Sequence, residues 1–542
     1  MTENETAYMD VAPALTDAQW ERLREHTVPE RVAAGEAVVT AGDRDYPMIL
    51  VDEGELELVR DPLRWLDEEV VAVAGPRSFL GELGLLNGQS AFLSVRATAP
   101  STIRRLARTD LRRVLAADDE LGDLILRSLW ARRESLRAGS AALTLKFIGS
   151  GTSAEFLALR RFAERFDLVH TAVALRPGES VDHPGASFAA ADLPVAYIRG
   201  EPILRATPGE VAHRLGLAYD PAHDGSADVV IVGGGPAGLA AAIYAASEGL
   251  DAVLLEAVAP GGQAAATSRI ENFLGFPFGV SGDDLIGQAT LQAIKFGVRV
   301  CAPCAAAGLR ATTEGVEVDL VDGGVIAARS AVVTSGVHYR RLPLDRWEEF
   351  ERGGIHYAAT ALEVRQLAGA PVVVVGGANS AGQAALFLAA NDCTVYLVVR
   401  RPDLSETMSS YLVERLAADP RIHIHRSSNV VGLDGDGTLG AVELDTAGRL
   451  PARGLFCFIG ADPASDWVPG LVRDDAGFIL TGTDVAASGP WERLGRLPLP
   501  FETSLPRVFA AGDVRRGSMK RVAAAVGEGS SAIASVHRVL AG

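Results

Sequence analysis

The stretch from Asp228 to Glu256, DVVIVGGGPAGLAAAIYAASEGLDAVLLE, constrains this chain more than any other. An apolar run at 229–232, a glycine turn, an alanine-rich segment and a second apolar run at 252–255 read as strand, turn, helix and strand. Gly233 permits the tight turn, Gly235 lets the backbone approach a pyrophosphate, Gly238 lets helix pack on strand, and Pro236 and Ala237 open the helix. The helix N-terminus presents unpaired N–H groups and a positive dipole to an anion. Glu256, 23 residues after Gly233, closes the second strand where a carboxylate accepts hydrogen bonds from a ribose. This combination predicts a dinucleotide site rather than a simple glycine turn.

A chain of 542 residues that is 48% hydrophobic has length and apolar content for three or four domains. With 51 Lys and Arg against 69 Asp and Glu, its net charge of -18 argues against a nucleic-acid partner. The N-terminus MTENETAYMD lacks a signal pattern, and no apolar run reaches membrane-spanning length, so a soluble cytoplasmic protein with no membrane partner is expected. Four cysteines make no disulfide framework, so redox chemistry here calls for a cofactor. Metal-ligand spacing and a Gly-x-Ser-x-Gly elbow are both absent.

Taken in order, a helical pattern at 15–27 precedes short alternating strands with glycine turns, and helices follow from Thr109 to about Ala138. This helix, antiparallel β roll and helix order, with Gly81-Glu82-Leu83 and Leu85-Leu86 in a turn, resembles the cyclic nucleotide-binding domain over 1–138. The resemblance implies that Glu82 takes a ribose hydroxyl and that an arginine nine positions on takes the cyclic phosphate. That position is Ala91, so a roll that packs, or binds another ligand, is favoured over a cyclic-nucleotide sensor.

The strand, helix, strand, Pro194, strand, strand and helix order of 143–218 resembles a thioredoxin or glutaredoxin fold. Where that fold carries CxxC, this chain has Ser150, Gly151, Thr152 and Ser153, so a structural or docking module is expected. Residues 219–227 read as a linker.

From Ala227 onward several motifs resemble the low-molecular-weight thioredoxin reductases. They are the GGQAAATSRIENFLGFP loop, TSGVHYRRL, FCFIGADP, LPRVFAAGDV and KRVAAAVGEG. The resemblance implies two α/β Rossmann-type domains, an FAD domain over 227–339 and 462–542 and an NAD(P)H domain over 340–461. It places Gly262, Gln263 and Asn272 at the isoalloxazine. Gly512 and Asp513 would lie at the ribityl chain, and Arg521, Val522 and Ala523 at a helix N-terminus facing the flavin, with Val522 where the family usually has glutamine. A homodimer, and rotation of the inserted domain about two strand linkers, are also implied.

The inserted segment 372–399 repeats the strand–turn–helix–strand pattern, with Gly376, Asn379, Ser380 and Ala381 at the turn and Ala378 replacing the glycine nearest the phosphates. Where the first fold ends in Glu256, this one ends in Val399, Arg400 and Arg401. Two guanidiniums suit a 2′-phosphate, which favours NADPH over NADH, against the plainer reading of two solvated arginines.

Thioredoxin reductases carry a CxxC just ahead of this fold. The present chain reads GIHYAATALEV, with Ala358 and Ala361 at both cysteine positions, and alanine cannot relay electrons. Cys301 and Cys304 form a second CxxC, for which packing is favoured over redox chemistry, as it is for Cys393 and Cys457. His356 and Tyr357, just before the lost cysteines, lie near the flavin or simply pack. The expected activity is hydride transfer from NADPH to FAD and on to an unidentified protein or small-molecule acceptor. Two alternatives stand beside it. One is a regulatory sensor or scaffold with negligible turnover. The other is a thioredoxin-disulfide reductase using Cys301 and Cys304.

Overall fold

The computed structural model describes residues 15–541 apart from 152, 177–180, 184–185, 219–225, 268–269, 271, 352–353, 358, 360–366, 368 and 487–489. Ala358, Ala361 and Thr152 therefore lie outside the described residues. The N-terminal helix, Asp17–Arg24, is shorter than the sequence pattern at both ends: Thr16 starts it with a capping box shared with Gln19, and it closes at Glu25. Two four-stranded antiparallel sheets then make the roll. One has the order Pro29–Val32, Ser101–Leu106, Met48–Glu53, Phe79–Leu80, and the other Ala37–Val39, Ser94–Ala97, Leu56–Arg60, Glu69–Ala74. Helices Arg108–Ala117 and Asp119–Ala138 close it, the second capped by the Asp118 side chain on the Leu121 N–H at 3.0 Å.

The middle sheet runs Thr171–Leu175, Leu145–Ser150, Val195–Ile198, Glu201–Ile203, with the first pair parallel and the others antiparallel. Strand alternation divides Val195–Ile198 between two cores. Ala196 and Ile198 pack with the helices Ala154–Arg165 and Pro208–Leu215, while Val195 and Tyr197 face Trp65 from a hairpin of the roll. The Trp65 ring meets Tyr197 edge-on at 4.9 Å, and Arg64 pairs with Glu201 at 2.8 Å. The roll thus covers a sheet face that has no helix of its own among the described residues. A further seam joins the two where the Ser90 N–H donates to the Leu215 carbonyl at 2.8 Å.

The third unit is a seven-stranded sheet in the order Arg299–Cys301, Ala252–Leu255, Ala227–Val232, Val325–Val333, Val316–Leu320, Ala306–Ala311, with Val508–Ala510 also beside Val325–Val333. Its first four strands are parallel, and residues 229–232 and 252–255 are buried on both faces, which is why those two read as unbroken apolar runs. The fourth unit is an all-parallel sheet, Ile355–His356, Gly454–Cys457, Pro371–Val375, Thr394–Val399, Ile422–Arg426, with a three-stranded antiparallel meander inserted in the chain between Ile422–Arg426 and Gly454–Cys457. The chain enters and leaves it along paired strands, Val337–Tyr339 against Ala461–Pro463, locked by Arg340 and Asp462.

One helix, Gly282–Lys295, ties the seven-stranded unit to the roll. Its first N–H, at Gly282, donates to the Thr267 carbonyl at 2.8 Å, while at its other end Ile294 is buried in the roll's helical core and Lys295 pairs with Asp123 at 2.6 Å. Among the described residues no helix is long and apolar enough to cross a membrane. Because Trp65 is a large apolar contact between roll and middle sheet, Trp65→Ala is expected to cost about 1–3 kcal/mol. Limited proteolysis would show cleavage within 143–218 before the glycine-turn unit opens.

Candidate functional site

The glycine turn is built as its residues require. Gly233 has φ +113°, and a Cβ there would lie 2.4 Å from the Thr334 carbonyl oxygen. A Cβ on Gly238 would sit 1.8 Å from the Gly233 carbonyl oxygen, so only glycine lets the helix Pro236–Ser247 approach its strand this closely. Gly235 is the N-cap, and no protein atom lies within 4 Å of where its Cβ would stand. That open cradle at a helix N-terminus is where a pyrophosphate fits. Ala237 is buried beneath it, with Pro236 in the first turn.

Glu256 is fixed rather than loose: Oε2 accepts from the Gly234 N–H at 2.7 Å and Oε1 from the Val258 N–H at 3.1 Å. Burial pushes its carboxyl up, opposed by those N–H groups and by the charge of Arg165, which comes from the middle unit's helix. The loop that resembles a flavin-contacting segment folds back on this turn. The Gly261 N–H donates to the Gly234 carbonyl at 2.7 Å, Gly262 (φ +51°) approaches Gly235, and Gln263 and Asn272 are exposed.

From the far end of the chain, Gly512 (φ +76°) closes over Ala237, and its N–H donates to Glu528 at 2.8 Å. Burial raises the Asp513 carboxyl, Lys520 lowers it and Glu528 raises it further. The helix Val522–Ala541 follows, with Arg521 and Ala523 exposed and Val522 half-buried against the core. Sequence reading missed three contributors here. Thr334 Oγ1 donates to the carbonyls of Val232 and Gly233, at 3.0 and 2.9 Å. Glu528 braces Gly512 and Arg515, and Gly529 lets the last helix touch the glycine-turn helix, since a Cβ there would lie 2.0 Å from the Ala237 carbonyl oxygen. The small pair Gly527 and Gly529 within one helix was the available signal.

The second glycine turn repeats the geometry. Gly376 (φ +144°) lies under the Phe458 carbonyl, Ala378 is the N-cap of Asn379–Ala390, Ala381 is buried, and Ser380 is exposed. Asn379 accepts from the Ser409 N–H at 2.8 Å, so its side chain braces the loop after the next strand. The two arginines part company. Arg401 pairs with Glu406 at 2.8 Å, whereas Arg400 is exposed and has no partner among the described residues. Arg426, the register partner of Val399 on the neighbouring strand, is a third guanidinium at this edge that sequence spacing could not place.

All four cysteines are buried. Cys301 and Cys304 lie in the core beneath the seven-stranded sheet, with their backbones hydrogen-bonded to that of Glu256. Burial raises the Cys393 thiol and pushes that of Cys457 up to about 12. His356 stacks on Phe456, and Tyr357 stacks on Tyr339 at 4.8 Å while its hydroxyl donates to Glu351 at 2.7 Å, so both serve packing. Ser153 caps its helix through the Phe156 N–H at 3.2 Å. No cluster of metal-ligating side chains occurs among the described residues.

Comparison with known proteins agrees with this layout. The family model for pyridine nucleotide-disulphide oxidoreductases matches residues 227–529, and that for the cyclic nucleotide-binding domain matches 29–118. NADPH-dependent thioredoxin reductase 3 of Arabidopsis thaliana is 34% identical over 326 residues, 58% of each chain. Thioredoxin reductase of Streptomyces clavuligerus is 33% identical over 321 residues, 58% of this chain and 94% of that one. The solved thioredoxin reductase from Giardia duodenalis superposes with a TM-score of 0.50 at 26% identity, covering 58% of this chain and 99% of its own. This chain therefore belongs to the pyridine nucleotide-disulphide oxidoreductase family, as a thioredoxin reductase-like flavoprotein oxidoreductase with FAD and NADPH as cofactors and a cyclic nucleotide-binding-type domain ahead of it.

Proposed function

We propose that this enzyme oxidises NADPH and delivers the electrons to an external acceptor without a dithiol of its own. The observation that carries the reading is the cysteine inventory: four in the whole chain, every one buried, and alanine at 358 and 361. With both cofactors bound, the chemistry is hydride transfer to FAD, so that NADPH, a proton and an oxidised acceptor become NADP⁺ and a reduced acceptor. The chain's own residues supply position rather than acid–base catalysis. Gly233, Gly235, Gly238, Glu256 and Asp513 hold FAD. Gly376, Asn379 and Arg400 hold NADPH, with Arg426 beside them in place of Arg401. The proposed domains are 1–138, 143–218 as a thioredoxin-like module without CxxC, 227–339 with 462–542, and 340–461. The acceptor class is a protein or small molecule able to reach the flavin directly.

Anaerobic stopped-flow mixing with NADPH is expected to bleach the flavin, and an added acceptor to restore its colour. Bound NADPH with no bleaching would favour the sensor reading. Arg400→Ala should weaken NADPH about tenfold (~1.4 kcal/mol) and leave NADH unchanged. Replacing Cys301 and Cys304 together by alanine should leave turnover intact; its loss with a disulfide substrate would favour the third reading.

The two glycine positions separate fold from cofactor. Gly235→Ala should fold normally yet purify with at least tenfold less flavin, because no protein atom stands where its methyl would go and the methyl would take the space offered to the pyrophosphate. Gly529→Ala should instead lower thermal stability by about 1–3 kcal/mol, because the clash is with protein backbone.

A further inference from the structure

The backbone of Glu256 is clamped by the segment beside it: its N–H donates to the Cys301 carbonyl at 3.0 Å, and its carbonyl accepts from the Cys304 N–H at 2.7 Å. The residues next to these clamps belong to another unit's core. Ala259, three residues past Glu256, is 1% exposed, and Ala302, one past Cys301, is fully buried. Both pack with Phe156, Leu159, Phe162 and Ala163 of the middle unit's helix Ala154–Arg165. The carboxylate proposed above to hold FAD thus stands at the edge of a core that two units share.

Arg165 lies in the last turn of that helix, one turn after Phe162 and hence on the side of the shared core. Its guanidinium charge opposes the burial that pushes the Glu256 carboxyl up. Among the described residues no other side-chain charge acts on Glu256. The glycine turn 233–235 and the loop 257–260 hold no titratable side chain, and the neighbouring segment brings only the thiols of Cys301 and Cys304.

A ribose needs Glu256 as a carboxylate. Oε2 and Oε1, already bonded to the N–H groups of Gly234 and Val258, each keep an acceptor site for a diol hydroxyl while the group is ionised. Protonation turns one of those sites into a donor. Burial alone favours the protonated form, and a guanidinium nearby counters it. We propose that the middle unit contributes a positioning residue to the FAD site: Arg165 is the counter-ion of the Glu256 carboxylate when that carboxylate holds the FAD ribose. The inference rests on the assignment of Glu256 to FAD.

The test uses the full-length protein, stripped of flavin and titrated with FAD by fluorescence quenching from about pH 8 down to about pH 6. FAD affinity is lost as pH falls through the Glu256 pKa, and removing the guanidinium moves that pKa further up, so the loss begins at higher pH. Arg165→Gln is therefore expected to weaken FAD about tenfold at the acid end and less at the alkaline end. Arg165→Lys, which keeps the charge, should stay within about threefold of the unaltered protein throughout. If Arg165→Gln does not fold, Arg165→Met keeps the apolar stem and is read in the same titration. Unaltered affinity and pH profile in Arg165→Gln overturn the inference, and so does an equal loss in the Gln and Lys variants. Glu256→Gln separates the two readings. If it weakens FAD while Arg165→Gln does not, this inference alone fails; if it leaves FAD binding unchanged, the assignment of Glu256 fails and takes this inference with it.

Discussion

A Cβ on Gly529 would lie 2.0 Å from the Ala237 carbonyl oxygen, one on Gly238 1.8 Å from that of Gly233, and one on Gly233 2.4 Å from that of Thr334. These three contacts fix one small volume in which a strand end, the N-terminus of one helix, the interior of a second helix at Gly529 and the carbonyl of Thr334 meet backbone to backbone. Because no side chain separates them, the positions of the helix dipole and of the unpaired N–H groups are set by covalent geometry rather than by rotamers. The Gly261 N–H on the Gly234 carbonyl and the Gly234 N–H on Glu256 extend the same knot to the loop that starts at Gly261 and to the Glu256 carboxylate. A site that must hold two rings at reacting distance gains from such an origin, since a small displacement there misaligns everything downstream.

Where the sequence was legible, the reason is that a local stretch carries its own constraint. Gly233 to Glu256 encodes turn, helix, strand and carboxylate within one continuous segment, and Gly376 to Arg400 encodes turn, helix and strand with an arginine in the carboxylate's place. What stayed hidden depends on contacts between distant segments. Arg426 reaches the edge beside Arg400 only because the strands Thr394–Val399 and Ile422–Arg426 pair in register. Glu406 takes Arg401 through a loop whose course no periodicity encodes. Trp65 reads as an ordinary hairpin residue until the middle sheet supplies Tyr197.

The accessory units are more than tethered to the catalytic one, because they share core with it. Ala259 and Ala302 of the seven-stranded unit are buried in the middle unit's core, and Ile294 is buried in the roll's. Arg165 of the middle unit places its charge near Glu256. Three positions where a relative would carry chemistry have instead been given over to structure or left without it. Ala91 is wall, Ser153 is a helix cap, and alanine stands at both dithiol positions. A chain that had simply lost these functions would have little need to keep the surfaces between its units, yet apolar side chains, ion pairs and backbone hydrogen bonds still join them.

That packing bears on how the roll could influence the flavin. A ligand biases a distant site only through an element whose energy differs between two states. The helix Asp119–Ala138 carries both Arg133, bound to Glu82, and Asp123, bound to Lys295. Lys295 ends the helix whose opposite end is hydrogen-bonded to Thr267, in the loop that resembles a flavin-contacting segment. A shift of one helix on the other would therefore be carried as far as Thr267 through packed side chains, an ion pair and a backbone hydrogen bond.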